Sequence, residues 1–169
     1  MKVLIASSSI LATPVLDQLR KSNDHEILGI LTNPDKPTGR GQKIEANDLA
    51  LWAKESGFET YKPGNSIEIE SIVSELKPDL VVTIAYGQLI KKAALTIPTY
   101  GWINIHFSAL PKWRGAAPVQ HAIMQGDSQI GVSIFKLDEG MDTGPVYLTK
   151  LTDIGADETT TNFILQIFF

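Results

Sequence analysis

Asn104, His106 and Ser108 stand at i, i+2 and i+4 in the segment GWINIHFS. In an extended strand alternate side chains share a face, so this spacing predicts an amide, an imidazole and a hydroxyl on one surface. An amide N–H₂ donates to a carbonyl oxygen as negative charge builds on it. An imidazole donates likewise, or moves protons near neutral pH. Those abilities suit acyl or formyl transfer, in which one well-aimed donor lowers the barrier by about 3–4 kcal/mol. The competing reading makes Asn104 a strand-end cap and His106 a satisfied, partly buried histidine, and N-x-H spacing alone does not separate the two.

A carboxylate beside the imidazole would fix its tautomer and favour its cation. The glycine-flanked stretch DEGMDTG offers three candidates, Asp138, Glu139 and Asp142, and spacing does not choose among them. Trp113, in WRG, is placed either at the start of the next helix facing a ligand or in packing, with Arg114 solvated. His25 sits in a charged turn and His121 in mid-helix; both read as structural or solvated. Histidines so scattered, in a chain without cysteine, form no metal-ligand pattern, and no metal is expected.

Elements that position these groups follow from periodicity. Residues 2–6, 26–31, 80–85, 101–106, 132–137 and 146–148 are short β-branched runs and read as strands. Residues 11–21, 45–56, 67–77 and 116–125 carry apolar side chains at three- and four-residue spacing, as amphipathic helices do. The alternation predicts an α/β, Rossmann-like three-layer sandwich with a mostly parallel sheet. Strand 101–106 would then carry His106 at its carboxyl end, where open α/β sheets place ligands. The first strand–helix turn, ASSSIL, has no glycine, which counts against a dinucleotide cofactor.

With 169 residues, the chain suits one domain or slightly more. Nineteen acids against fifteen bases give a net charge of −4, so bulk electrostatics would not hold a nucleic acid, and any such partner must meet a local basic feature. NPDKPTGRGQK is one: Lys36, Arg40 and Lys43 face only Asp35, in what reads as a long mobile loop. The N-terminal apolar run is too short for a secretion signal or a membrane span, which leaves a cytoplasmic protein without a membrane partner. Residues 156–159 read as a helix start, and the tail FILQIFF reads as a truncated or aberrant end.

Residues 104–118, NIHFSALPKWRGAAP, closely resemble the signature of the methionyl-tRNA formyltransferase family. The stretches NPDKPTGRGQK, Ala85-Tyr86-Gly87 and DEGMDTGPV resemble the same family in the same order. N-x-H with a downstream Asp is shared by the wider formyltransferase superfamily, whereas WRGAAP and PDKPTGRG are more selective. The resemblance implies formyl transfer from 10-formyltetrahydrofolate to the methionine amine of charged initiator tRNA, in translation initiation. It implies a catalytic trio of Asn104, His106 and Asp142, and folate contacts from Ser108, Ala109, Leu110 and Pro111. It also implies tRNA contacts from Lys36, Arg40 and Lys43, a formyltransferase fold over residues 1–160, no metal and a monomer.

Three departures accompany it. Ala109 stands where the family usually has Leu, and SSSILAT replaces a Gly-Thr-Pro start. Residues 161–169 do not resemble the family, and the expectation is a truncated chain without the C-terminal β-barrel domain of full-length members. Two alternatives therefore remain: a folate-dependent formyltransferase acting on a small amine, and an inactive folate-binding fragment.

Overall fold

The protein is described here by a computed structural model covering residues 1–155, 159 and 160. Nearly all of the expected 156–159 helix start, and all of the 161–169 tail, lie outside the described residues. The chain divides into two compact units, Met1–Trp102 and Ile103–Phe169.

In the first unit, β1 (Lys2–Ser7), β2 (Glu26–Leu31), β5 (Thr60–Tyr61) and β6 (Leu80–Ile84) form parallel pairs in the order β5-β2-β1-β6. β1 is central and buried from Val3 to Ser7, as a strand covered on both faces must be, which explains its unbroken apolar run. A 3₁₀ turn at Ile10–Ala12 leads into α1 (Thr13–Lys21), with a proline in the first helical turn and Arg20 and Lys21 in the last. The proline sets the helix start, and the two cations complement the negative end of the helix dipole. Leu16 is buried, with Val15 and Leu19 half-buried beside it.

α2 (Asp48–Glu55) is capped by Asn47, whose side chain accepts from the Ala50 N–H. It starts three residues later than the periodicity predicts, because Glu45 belongs instead to a small hairpin. That hairpin pairs β3 (Lys36–Thr38) with β4 (Lys43–Glu45) in antiparallel register, so the expected irregular loop is an ordered ribbon with a Gly-Arg-Gly tip. α3 (Ser66–Leu76) is capped by Asn65, which accepts from the Ile67 and Glu68 N–H groups. Glu68 reaches back to the Gly64 N–H, so the two side chains satisfy the helix start reciprocally. A short α4 (Lys92–Leu95), absent from the sequence reading as β5 is, offers the Ala94 carbonyl to the buried Trp102 indole N–H at 2.9 Å.

β7 (Trp102–His106) enters the second unit at Ile103, where it pairs antiparallel with β8 (Gln129–Lys136), and β8 with β9 (Val146–Asp153). The sheet is mostly parallel, as the alternation predicts, and β8 is the strand that pairs antiparallel with both its neighbours. β8 and β9 are joined by a short loop, which permits only the antiparallel return. α5 (Pro118–Met124) lies between β7 and β8, and its buried Val119 and Ala122 form its apolar side. Among the described residues no helix is long and apolar enough to cross a membrane.

Gly29 has φ +142°, and a Cβ there would lie 2.8 Å from the Tyr61 ring and 2.9 Å from the Glu59 carbonyl oxygen. Gly29→Ala is expected to destabilise the fold by at least about 1–3 kcal/mol, the usual cost of such backbone strain, because a backbone carbonyl cannot yield. Thermal or urea unfolding reads this directly, and an unchanged midpoint would contradict the packing described.

Candidate active site

The register of the second unit puts Asn104 opposite Phe135 and His106 opposite Ser133. Asn104 and His106 therefore share a strand face, as the spacing predicts. The face does not extend to Ser108: β7 ends at His106, and the buried Ser108 hydroxyl donates to the Lys112 carbonyl at 2.6 Å. The His106 ring stands edge-on to Phe135, with centroids 6.3 Å apart and planes at 88°. It is buried to 7% exposure.

His106 Nε2 lies 2.9 Å from the Trp113 carbonyl oxygen. A carbonyl carries no proton, so the bond requires Nε2–H as donor. Nε2 is also 3.8 Å from Asp142 Oδ2, and that oxygen accepts the Gly115 N–H at 2.7 Å. The structure thus separates two of the three acids of DEGMDTG by their partners, and the third, Glu139, is exposed. Asp142 faces the imidazole, whereas Asp138 accepts from the Gly140 N–H and the Thr143 hydroxyl within its own loop. Two glycines shape that loop: a Cβ at Gly140 would overlap the Thr143 hydroxyl, and one at Gly144 the Lys136 carbonyl.

Between Lys112 and Pro118 the chain takes left-handed backbone three times, at Trp113 (φ +57°), Gly115 (+86°) and Ala117 (+57°). Asp142 is left-handed as well, at φ +52°. For a bulky residue such as Trp this conformation is an outlier that needs an external hold. The Trp113 indole N–H donates to Asp127 Oδ2 at 2.7 Å, and its ring stacks on His121 with centroids 5.6 Å apart. Trp113 is therefore a half-buried packed aromatic that precedes α5, while Arg114 is exposed. A Cβ at Gly115 would press to 3.2 Å from Met141 Sδ.

The segment Ser108, Ala109, Leu110 and Pro111 is held from β8. The buried Ser133 hydroxyl donates to the Ser108 carbonyl at 2.7 Å and accepts the Leu110 N–H at 3.1 Å. Gly131 leaves room for Ala109, since a Cβ there would lie 2.9 Å from the Ala109 methyl. Neither Ser133 nor Gly131 stands out in the sequence, where both look like ordinary strand residues. Lys36, Arg40 and Lys43 belong to the hairpin of the first unit and are exposed, with Lys43 Nζ 3.7 Å from Glu45. Asp35 is taken by Lys62 at 2.5 Å. Among the described residues no group of three or more His, Asp or Glu side chains is arranged to hold a metal ion.

The Asp127 carboxyl is held below the usual carboxylate range by the Lys112 hydrogen bond, then by that of Trp113, which together outweigh its desolvation. A carboxylate depressed on folding stabilises the fold above its unfolded value near pH 4 and loses that contribution as pH falls through the lower folded value. The melting-temperature gap between the native chain and Asp127→Asn is expected to stay constant from about pH 7 to 5 and to close below about pH 4. A gap undiminished in strong acid would contradict the assignment.

The formyl transferase family matches residues 1–166 of this chain. Methionyl-tRNA formyltransferase of Salinispora arenicola is 43% identical over 169 residues, covering 99% of this chain and 54% of that protein. The Streptomyces griseus protein of the same name is 42% identical, covering 100% and 55%. The chain thus spans about half the length of the curated relatives it matches. Among solved structures, phosphoribosylglycinamide formyltransferase from Bacillus halodurans superposes with TM-score 0.81 at 23% identity, over 99% of this chain and 87% of that one. A formyltetrahydrofolate deformylase from Pseudomonas syringae gives 0.79 at 21%, over 98% and 55%. These likenesses share the α/β Rossmann-like fold. With the family match running from the first residue to residue 166, the chain belongs to the formyl transferase family.

Proposed function

We propose that this chain is the catalytic portion of a cytoplasmic methionyl-tRNA formyltransferase, a monomer that formylates the methionine amine of charged initiator tRNA with 10-formyltetrahydrofolate as donor. The observation that carries the reading is the approach of Asp142 to within 3.8 Å of the His106 ring, on the strand face that Asn104 shares, in a chain 42–43% identical to proteins of that name. The folate fits this donor set, which offers an amide, an imidazole and a carboxylate and requires no metal. When bound, it supplies an activated formyl carbon.

Asn104 and His106 hold the formyl oxygen as negative charge develops on it. His106 spends its Nε2–H on the Trp113 carbonyl, so only the cationic ring has a second N–H to offer. Asp142, 3.8 Å from Nε2, orients the ring. As the amine nitrogen bonds to the formyl carbon and that carbon parts from the folate nitrogen, the amine loses a proton and the folate nitrogen gains one. Asp142 and His106 carry that exchange. The backbone of Ser108 to Pro111, fixed by Ser133 and Gly131, lines the folate side in this reading. The exposed Lys36, Arg40 and Lys43 meet tRNA phosphates, Arg40 most freely, because Lys43 is shared with Glu45.

Formyl transfer by the purified chain to charged initiator tRNA, compared with glycinamide ribonucleotide, tests the reading. Asn104→Ala is expected to lower kcat by about 10²–10³, with the melting temperature little changed. Activity confined to the small amine would replace this reading with the alternative acceptor, and folate binding without transfer would mark an inactive fragment. Arg40→Ala is expected to weaken tRNA binding and to reduce its logarithmic salt slope by about one. An unchanged slope would remove Arg40 from the tRNA contact.

A further inference from the structure

The acceptor that fixes the His106 proton is a main-chain carbonyl, and its direction is set by the backbone of Trp113. That backbone is left-handed, with φ +57°, a state a tryptophan leaves unless its side chain is tied elsewhere. The tie is Asp127. Its Oδ2 accepts the indole N–H at 2.7 Å, and both its oxygens lie 2.7 Å from the ammonium of Lys112, the preceding residue. Asp127 thus grips two consecutive side chains, directly before the carbonyl that accepts from His106. It stands just past α5, after Gly126 at φ +70°, and its own N–H is anchored to the Ala122 carbonyl at 3.0 Å. The carboxylate is 15% exposed. The stack of Trp113 on His121, with planes at 11°, leaves the indole free to slide in its plane, whereas a hydrogen bond to the indole N–H fixes both position and rotation.

We propose that Asp127 is a positioning residue for formyl transfer: by locking the Trp113 side chain it aims the Trp113 carbonyl at Nε2 and so selects the His106 tautomer. The inference rests on the catalytic reading above for its kinetic consequence and on the geometry alone for its structural one. Asp127 does not touch the reacting atoms. It sets which His106 nitrogen carries the proton of the neutral ring.

The test measures the His106 ring nitrogens by ¹H–¹⁵N correlation NMR in the full chain, together with steady-state formyl transfer. Asp127→Ala is expected to convert the neutral ring from a dominant Nε2–H form to a mixture of tautomers. It is expected to lower kcat about tenfold, with KM for folate and for tRNA within about twofold. Trp113→Phe keeps an aromatic ring over His121 but removes the indole N–H. It should produce the same spectral change, and the double variant should add little to either single one. Asp127→Asn, which retains an oxygen acceptor for the indole but not the charge on Lys112, should restore most of the native tautomer and part of kcat. A ring spectrum unchanged in both Asp127→Ala and Trp113→Phe would overturn the proposal, as would independent, additive effects. Asp127→Asn and Trp113→Phe decide the matter if Asp127→Ala does not fold. The spectra need no turnover, so a chain inert even before substitution would count against the catalytic reading while the spectra still decide the role of Asp127.

Discussion

A proton shared toward the Trp113 carbonyl is what gives the imidazole of His106 a defined chemistry. A buried histidine without such an acceptor is a mixture of two neutral tautomers. With Nε2 committed at 2.9 Å, the remaining nitrogen is an acceptor in the neutral ring and a donor in the cation, and the Asp142 carboxylate stands 3.8 Å from Nε2. Around this point the chain is bent unusually hard. Trp113, Gly115, Ala117 and Asp142 are all left-handed, and they deliver a carbonyl, an N–H group, a helix start and a carboxylate. Backbone states of this kind persist only where surrounding contacts over-determine them. Here the contacts are the indole bond to Asp127, the Gly115 N–H bond to Asp142 and the Ser133 hydroxyl beneath the preceding turn.

The acids of the second unit divide their work by what each is bonded to. Asp138 closes its own loop through Gly140 and Thr143, Asp127 ties down Lys112 and Trp113, and Asp142 is the one turned to the ring. Net charge says nothing of this division.

Much of the scaffold was legible because its signals are local. The apolar run of β1, the apolar spacing of α1 and α3, and the i, i+2 placement of Asn104 and His106 depend on residues close in sequence. Less legible were features set by partners far along the chain. The β3–β4 hairpin hides in a stretch rich in Gly and Pro, because cross-strand pairs of Lys36 with Glu45 and Thr38 with Lys43 are not a periodicity. The antiparallel turn of the second unit follows from connection lengths that composition does not weigh. Among Asp138, Glu139 and Asp142, spacing offered no choice, and family resemblance rather than periodicity singled out Asp142. Ser108 looked like a third member of the face because alternation was carried two residues past the strand end. Asp127 gave only one faint signal, an acid directly after a helix-ending glycine.

The most direct test of the account is the protonation pattern of the His106 ring in the unsubstituted protein, read from long-range ¹H–¹⁵N couplings while the ring is neutral. One dominant species is expected, with the proton on Nε2 and a bare Nδ1. A dominant Nδ1–H species, or an even mixture of the two, would contradict it.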